Sequence, residues 1–180
     1  MALNINIYGS KVLRKKALPV TKVTKEMARL ADEMVETMYE SSGIGLAAPQ
    51  VGHSIRLIVV DLASEDETDD DEDAPRNALH IFNPVVVKKE GLCAAEEGCL
   101  SIPGVWADVE RPETITVRGM DKHGKPLELK DISGILARCI QHEIDHLDGV
   151  LFVDKISSTD RTLNESKLKK LSKEAKSVTA

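Results

Sequence analysis

Between residues 24 and 40, apolar side chains recur at three- and four-residue spacings: Met27, Leu30, Ala31, Met34, Val35 and Met38. That spacing predicts an amphipathic helix, because positions three and four apart share one helical face. Thr24 stands where an N-cap hydroxyl can accept a free amide proton, and Glu26 falls in the first turn, where negative charge is favoured. Gly43 marks the end of the pattern. The period then changes. IRLIVVDL at residues 55–62 is short, apolar and rich in β-branched residues, which predicts a strand. HIFNPVVV, TITVRGM and PLELK predict further strands, and DKHG between the last two is a turn signal joining an antiparallel pair.

A helical period returns after Asp131, with Ile132, Ile135, Leu136, Cys139, Ile140 and Leu147 as its apolar stripe and Gly149 as its stop. VLFV beyond it predicts a short edge strand. Residues 158–180 predict a basic C-terminal helix or tail, with Lys167, Lys169, Lys170, Lys173 and Lys176 around Leu163, Leu168 and Leu171. Helices on either side of a run of antiparallel strands make an α+β fold. The expected arrangement is antiparallel β-sheets around a central α-helix, with an N-terminal and a C-terminal helix. A chain of 180 residues without an internal repeat predicts one domain over residues 1–180.

Composition refines this only slightly. Hydrophobic residues at 42% and charged residues at 30% suit a soluble protein, and aromatic residues at 3% leave the core to aliphatic side chains and Met. No apolar run approaches bilayer length, and the N-terminus lacks the apolar stretch and cleavage site of a secretory signal, so the expectation is a cytoplasmic protein with no membrane partner. The net charge of -6 is concentrated in Glu65, Asp66, Glu67, Asp69, Asp70, Asp71, Glu72 and Asp73, without which the chain is slightly basic. Like charges with no apolar anchor predict a solvated acidic surface loop at 65–73. Cys93, Cys99 and Cys139 are too few and odd in number for a disulfide framework, and point to reduced thiols or metal ligands.

The chemistry is concentrated in QHEIDH at residues 141–146. On a helix, His142 and His146 lie on one face and can aim both imidazoles at a single metal ion, with Glu143 beside them as general acid/base. A catalytic site of this kind needs a third protein ligand. His53, His80 and His123 lie in loop or strand contexts without a supporting motif. Cys99 in EEGCLSIPG, between a glycine and a proline that define the local backbone, is the candidate third ligand. Cys93 and Cys139 read as small packing residues.

GIGLAAPQ at 43–50, EGCLS at 97–101 and QHEIDH at 141–146 resemble the three motifs of the peptide deformylase family, in the same order. VLRKKALPV and HLDGVLF extend the resemblance over nearly all of residues 4–155. It implies that Cys99, His142 and His146 hold one divalent metal ion per chain. Iron(II) is the implied ion, because a thiolate ligand weakens Lewis acidity, with zinc, nickel or cobalt as substitutes. The implied reaction removes the formyl group from formyl-methionyl nascent peptides. Glu143 would move the proton, while the Gln50 side-chain amide and the Leu100 backbone N–H would stabilise the oxyanion.

By the same resemblance, the segment Gly43, Ile44 and Gly45 pairs with the substrate main chain, and Ile44, Ile135 and Cys139 line a pocket for the methionine side chain. Arg111 in VERPET resembles an arginine that pairs with acidic groups near the site. Two positions depart from the pattern: Arg138 interrupts an apolar stretch, and Trp106 stands where some relatives carry a basic residue. The lysine-rich tail has two readings, a ribosome contact through RNA phosphates and an ordinary solvated face. A monomer is expected. HExxH alone is shared with zincin-like endopeptidases, and a binding module that had lost catalysis would have no need of Glu143 and Gln50.

Overall fold

The structure is a computed structural model and describes residues 3–61 and 77–178. The acidic run at 65–73 lies outside the described residues. Seven strands and three long helices follow in chain order: α1 Lys25–Glu40, β1 Gly45–Ala47, β2 Leu57–Val60, β3 Leu79–Glu90, β4 Cys93–Glu97, β5 Ala107–Arg111, β6 Thr114–Met120, β7 Pro126–Ile132, α2 Gly134–Leu147 and α3 Ser158–Val178. All ladders among these strands are antiparallel. One sheet has the order β1-β2-β3-β6-β7, and β4 pairs with β5 as a separate hairpin. The α+β expectation holds.

β2 explains why IRLIVVDL is apolar throughout instead of alternating. All four strand residues are fully buried. Ile58 and Val60 pack with Ala137, Ile140 and Leu147 of α2, while Leu57 and Val59 pack with Met34 and Met38 of α1. Side chains alternate across a strand, so β2 has a helix on each face and no side left for water. A third cluster lies below the hairpin, where Val109 and Ala107 of β5 meet Phe152, Leu168 and Leu171. It seats α3 on the body of the protein.

α1 begins as expected, with the Met27 amide donating to Thr24 Oγ1 at 3.2 Å. It ends at Glu40, three residues before Gly43, whose N–H still donates to the Met38 carbonyl at 2.9 Å. α2 begins at Gly134, later than its apolar stripe suggests, because Ile132 is paired with Ile115 in the β6–β7 ladder. VLFV does not form an edge strand. Phe152–Asp154 is instead a short 3-10 turn, in which the Asp154 carboxylate accepts the Leu151 N–H at 2.9 Å and the apolar side chains point into the third cluster. The turn in DKHG is built by Asp121, whose carboxylate accepts the N–H groups of His123 and Lys125, both at 2.8 Å.

Gly149 closes α2 at φ +74°, the left-handed conformation that glycine adopts without strain. A Cβ there would come within 2.8 Å of the Arg14 carbonyl oxygen. The N-terminal segment is held against this helix end by the Ala17 N–H, which donates to Leu147 O at 2.8 Å. Gly149→Ala is expected to lower the unfolding free energy by at least about 1 kcal/mol, from backbone strain alone. Urea denaturation measures it, and an unchanged midpoint would mean that the helix end and the Arg14 segment separate at no cost.

Candidate metal centre

The β4–β5 hairpin and α2 converge at the start of the EGCLS segment. Cys99 follows β4 by two residues, and His142, Glu143 and His146 occupy the buried side of α2. Ligand atoms of Cys99, His142 and His146 all lie within 4.8 Å of one another, and Cys99 Sγ is 3.2 Å from His146 Nε2. Among the described residues, this is the one cluster of His, Cys, Asp and Glu with metal-ligand spacing.

The best-supported donor is His142, whose partners leave its ligand atom directed at the cluster. His142 Nδ1 faces Glu97 Oε2 at 3.0 Å, so with the carboxylate accepting, the lone pair belongs to Nε2. The His142 ring also stacks on Phe152, with centroids 6.0 Å apart. Burial works against charge on both imidazoles, and for His146 it wins: the ring is held well below the usual histidine range, by burial first and the neighbouring His142 next. At His142 the same penalty is outweighed by hydrogen bonds to Cys99 and Glu97, which raise its proton affinity. A soft thiolate with two imidazoles suits a first-row transition metal or zinc. His146 Nδ1 and Glu143 Oε2, both buried, have no hydrogen-bond partner among the described residues. These observations fit a bound cation and a water beside it.

Glu97 is the hub that supports His142. Arg111 donates to both Glu97 oxygens, with Nη2–Oε2 at 2.9 Å, and Arg138 Nη1 donates to Oε1 at 2.7 Å. Burial pushes the Glu97 carboxyl up, yet hydrogen bonds from Arg111 and His142 more than reverse this and hold it well below the usual carboxylate range. Arg111 continues to Asp145 on α2 through Nη1 at 2.7 Å. The expected pairing of Arg111 with acidic groups is thus present. The role of Glu97 is not legible in the sequence, because its meeting with His142 depends on the hairpin's position. The only signal in the sequence was its place two residues before Cys99.

Gln50 sits in a 3-10 turn at Ala48–Val51. Its Oε1 accepts the Ala47 N–H at 2.7 Å, which turns Nε2 toward Ser101 Oγ at 3.1 Å and Cys99 Sγ at 3.6 Å. The Leu100 N–H makes no hydrogen bond among the described residues. Glu143, buried on α2, is pushed up to about 7 by burial, with the His142 charge opposing. A cation alongside would bring it down.

A cleft of about 520 Å³ opens onto these groups. Every residue expected at the site lines it except His146, which lies behind the cleft wall and is 1% exposed. Gly43, Ile44 and Gly45 line the cleft together with Ile135 and Cys139 of α2 and with Cys99 and Leu100. Gly45 is a matter of space: a Cβ there would stand 2.5 Å from Cys139 Sγ and 2.7 Å from Glu143 Oε1. The Cys139 thiol, raised well above its usual range by burial and by Glu143, donates to Ile44 O at 3.5 Å. Arg138 and Trp106, the two departures from the family pattern, both line the cleft.

A thiol, two imidazoles one helical turn apart and a buried glutamate on an α+β scaffold define the class of single-metal hydrolases. A model of the family described as polypeptide deformylase matches residues 2–162. The peptide deformylase of Alkalilimnicola ehrlichii is 47% identical over 169 residues, covering 94% of this chain and 90% of that protein. That of a Picosynechococcus species is 52% identical over 158 residues, covering 87% and 80%. Among solved structures, the peptide deformylase from Thermus thermophilus matches with a TM-score of 0.85 at 40% identity, covering 97% of this chain and 99% of that one. The enzyme from Synechococcus elongatus in complex with actinonin matches with a TM-score of 0.82 at 47% identity, covering 93% and 87%. The chain belongs to the polypeptide deformylase family.

Replacing Glu97 tests the hub. Glu97→Ala leaves the Arg111 guanidinium, 2% exposed, without its main counter-charge, and loss of one partner from a buried pair costs about 3–5 kcal/mol. Equilibrium unfolding is expected to show a loss in that range. A loss below about 1 kcal/mol would mean that Arg111 is satisfied by Asp145 alone.

Proposed function

We propose that this chain is a peptide deformylase, a hydrolase that removes the N-formyl group from the N-terminal methionine of newly made polypeptides and releases formate. The observation that carries it is the convergence of Cys99, His142 and His146 beside a buried, half-unpartnered Glu143 at the end of an open cleft. Cys99 Sγ and the two imidazoles would hold one divalent ion. When bound, that ion supplies Lewis acidity and brings a water's pKa from its bulk value toward about 7. Iron(II) is the ion we favour, with zinc, nickel or cobalt able to substitute.

The protein groups divide the remaining work. Glu143 accepts a proton from the attacking water and returns it to the amine that leaves, so one carboxylate serves both halves of the reaction. Its burial raises proton affinity and a cation at the three ligands would lower it, so the two effects oppose each other on the group that must both take and return a proton. Negative charge grows on the formyl oxygen, and the Gln50 N–H that faces Cys99, together with the unpartnered Leu100 N–H, can donate to it. Glu97 fixes the His142 tautomer by accepting from Nδ1. Gly43–Gly45 presents backbone to the peptide main chain, and the apolar surface of Ile44, Ile135 and Cys139 accepts the methionine side chain. Recognition through main chain suits an enzyme that meets many different nascent chains.

We also take residues 1–180 as one catalytic unit, acting as a monomer in the cytoplasm. Support comes from α3, which buries Leu168, Leu171 and Ala175 against the rest of the chain. No helix among the described residues is long and apolar enough to cross a membrane. Lys169, Lys170 and Lys173 are exposed on α3, and Lys169 and Lys170 face Glu165 and Glu174 one turn away, which supports an ordinary solvated face ahead of a contact with ribosomal RNA phosphates.

The metal-loaded protein is expected to release formate from formyl-Met peptides. Glu143→Gln should lower kcat by about 10²- to 10⁴-fold while the metal content stays near one ion per chain. Formate measurement coupled with elemental analysis checks both. Wild-type turnover in the variant would overturn the role given to Glu143, and absence of formate from the loaded wild-type protein would overturn the function.

A further inference from the structure

We propose that Trp106 determines specificity for the residues that follow the methionine, by offering its ring as a contact surface for an aromatic or large apolar side chain at the second or third position of the peptide. The inference rests on the deformylase reading and extends it to sequence preference.

Trp106 is the single tryptophan of the chain, and it is 62% exposed. An aromatic ring left this open at the rim of a cleft marks a binding surface more often than a core position. Its backbone does not wander. Val105 is 1% exposed and Ala107 is 6% exposed, both in the cluster beneath the hairpin, so the extended chain anchors on either side and turns the intervening side chain away from the core. The loop before it is tied to α3 by Lys167, whose Nζ donates to Gly104 O at 2.9 Å.

The hairpin register sets where the ring lies. Glu97 pairs with Ala107 at the last rung of the β4–β5 ladder, so Gly98 and Trp106 are the next positions facing each other. A Cβ on Gly98 would stand 2.6–2.8 Å from ring carbons of Trp106, which puts the indole directly against the Gly98 backbone. Gly98 precedes Cys99. A peptide with its formyl group at the Cys99, His142 and His146 cluster and its main chain along Gly43–Gly45 leaves the site through this cleft, and Trp106 lines it. Only the first few residues beyond the methionine can reach the ring.

A purely structural role is the competing account, in which the indole merely covers Gly98. The two differ in what changes when the ring is removed. The test uses the full-length, metal-loaded protein and three peptides: formyl-Met-Ala-Ala-Ser, formyl-Met-Phe-Ala-Ser and formyl-Met-Ala-Phe-Ser. The wild-type protein should show kcat/KM about three- to tenfold higher for one of the two Phe peptides than for the Ala peptide, the range expected of one aromatic contact. In Trp106→Ala that ratio should fall to about one, mainly through KM, and Trp106→Phe should restore most of it. Fluorescence excited beyond the tyrosine absorption band, which here reports on Trp106 alone, should change on binding the deformylated product Met-Ala-Phe-Ser more than on binding Met-Ala-Ala-Ser.

Equal kcat/KM for all three peptides in the wild type, or a Trp106→Ala variant that lowers all three alike and keeps their ratio, would overturn the proposal while leaving the deformylase activity in place. Failure to release formate from any of the three would instead contradict the underlying reaction.

Discussion

The arrangement depends above all on one buried carboxylate. Glu97 is the last residue of β4, and it accepts from Arg111 on β5 and from Arg138 and His142 on α2. A single charge thereby ties both strands of the β4–β5 hairpin to α2. A carboxylate this deep would be costly alone, and so would the guanidinium facing it, but together they satisfy one another and leave each element one favourable position. Two residues beyond Glu97 stands Cys99, and four residues beyond Arg138 on the same helical face stands His142. Placing Glu97 therefore brings the sulfur and nitrogen donors to one point before any ion arrives. This is preorganisation in a structural sense: the supporting ring of charges meets the cost of gathering the ligands.

The two helices flanking the sheet were legible because their evidence is local. Met34 and Met38 share a face by spacing alone, and Thr24 reads as a cap by its position. The strand at Leu57–Val60 was legible as a strand, although only the structure explains why every one of its residues is apolar: it is covered on both faces. The β4–β5 hairpin was missed. CAAEE and ADVER are short, half charged and only partly buried, so neither offers an apolar run for the eye to find. In ADVER the alternation of buried Ala107, Val109 and Arg111 with exposed Asp108 and Glu110 is a true strand pattern, disguised because one inward residue is an arginine.

VLFV failed for the opposite reason. Its apolar residues suggest a strand, yet burial can be achieved without one, and Asp154 captures the local backbone into a turn. Ile132 was assigned to a helical stripe because it fits the spacing, whereas its pairing with Ile115 decides the matter at long range. In the site, Cys99, His142, Glu143 and His146 could be selected from the sequence, and the structure brings them together beside one cleft. What spacing could not supply was the set of partners: Glu97 behind His142, Ser101 beside Gln50, and Trp106 over Gly98. Each of these depends on contacts between segments distant in the chain.

The central claim is that one sulfur and two imidazole nitrogens from Cys99, His142 and His146 hold a single catalytic ion in this family member. X-ray absorption at the metal edge of the anaerobically loaded protein addresses it directly. The account predicts one sulfur scatterer at about 2.3 Å and two imidazole nitrogens at about 2.0–2.1 Å for the zinc form, with the sulfur shell absent in Cys99→Ser. A spectrum fitted by nitrogen and oxygen alone in the wild-type protein, or a sulfur shell that persists in Cys99→Ser, would contradict it.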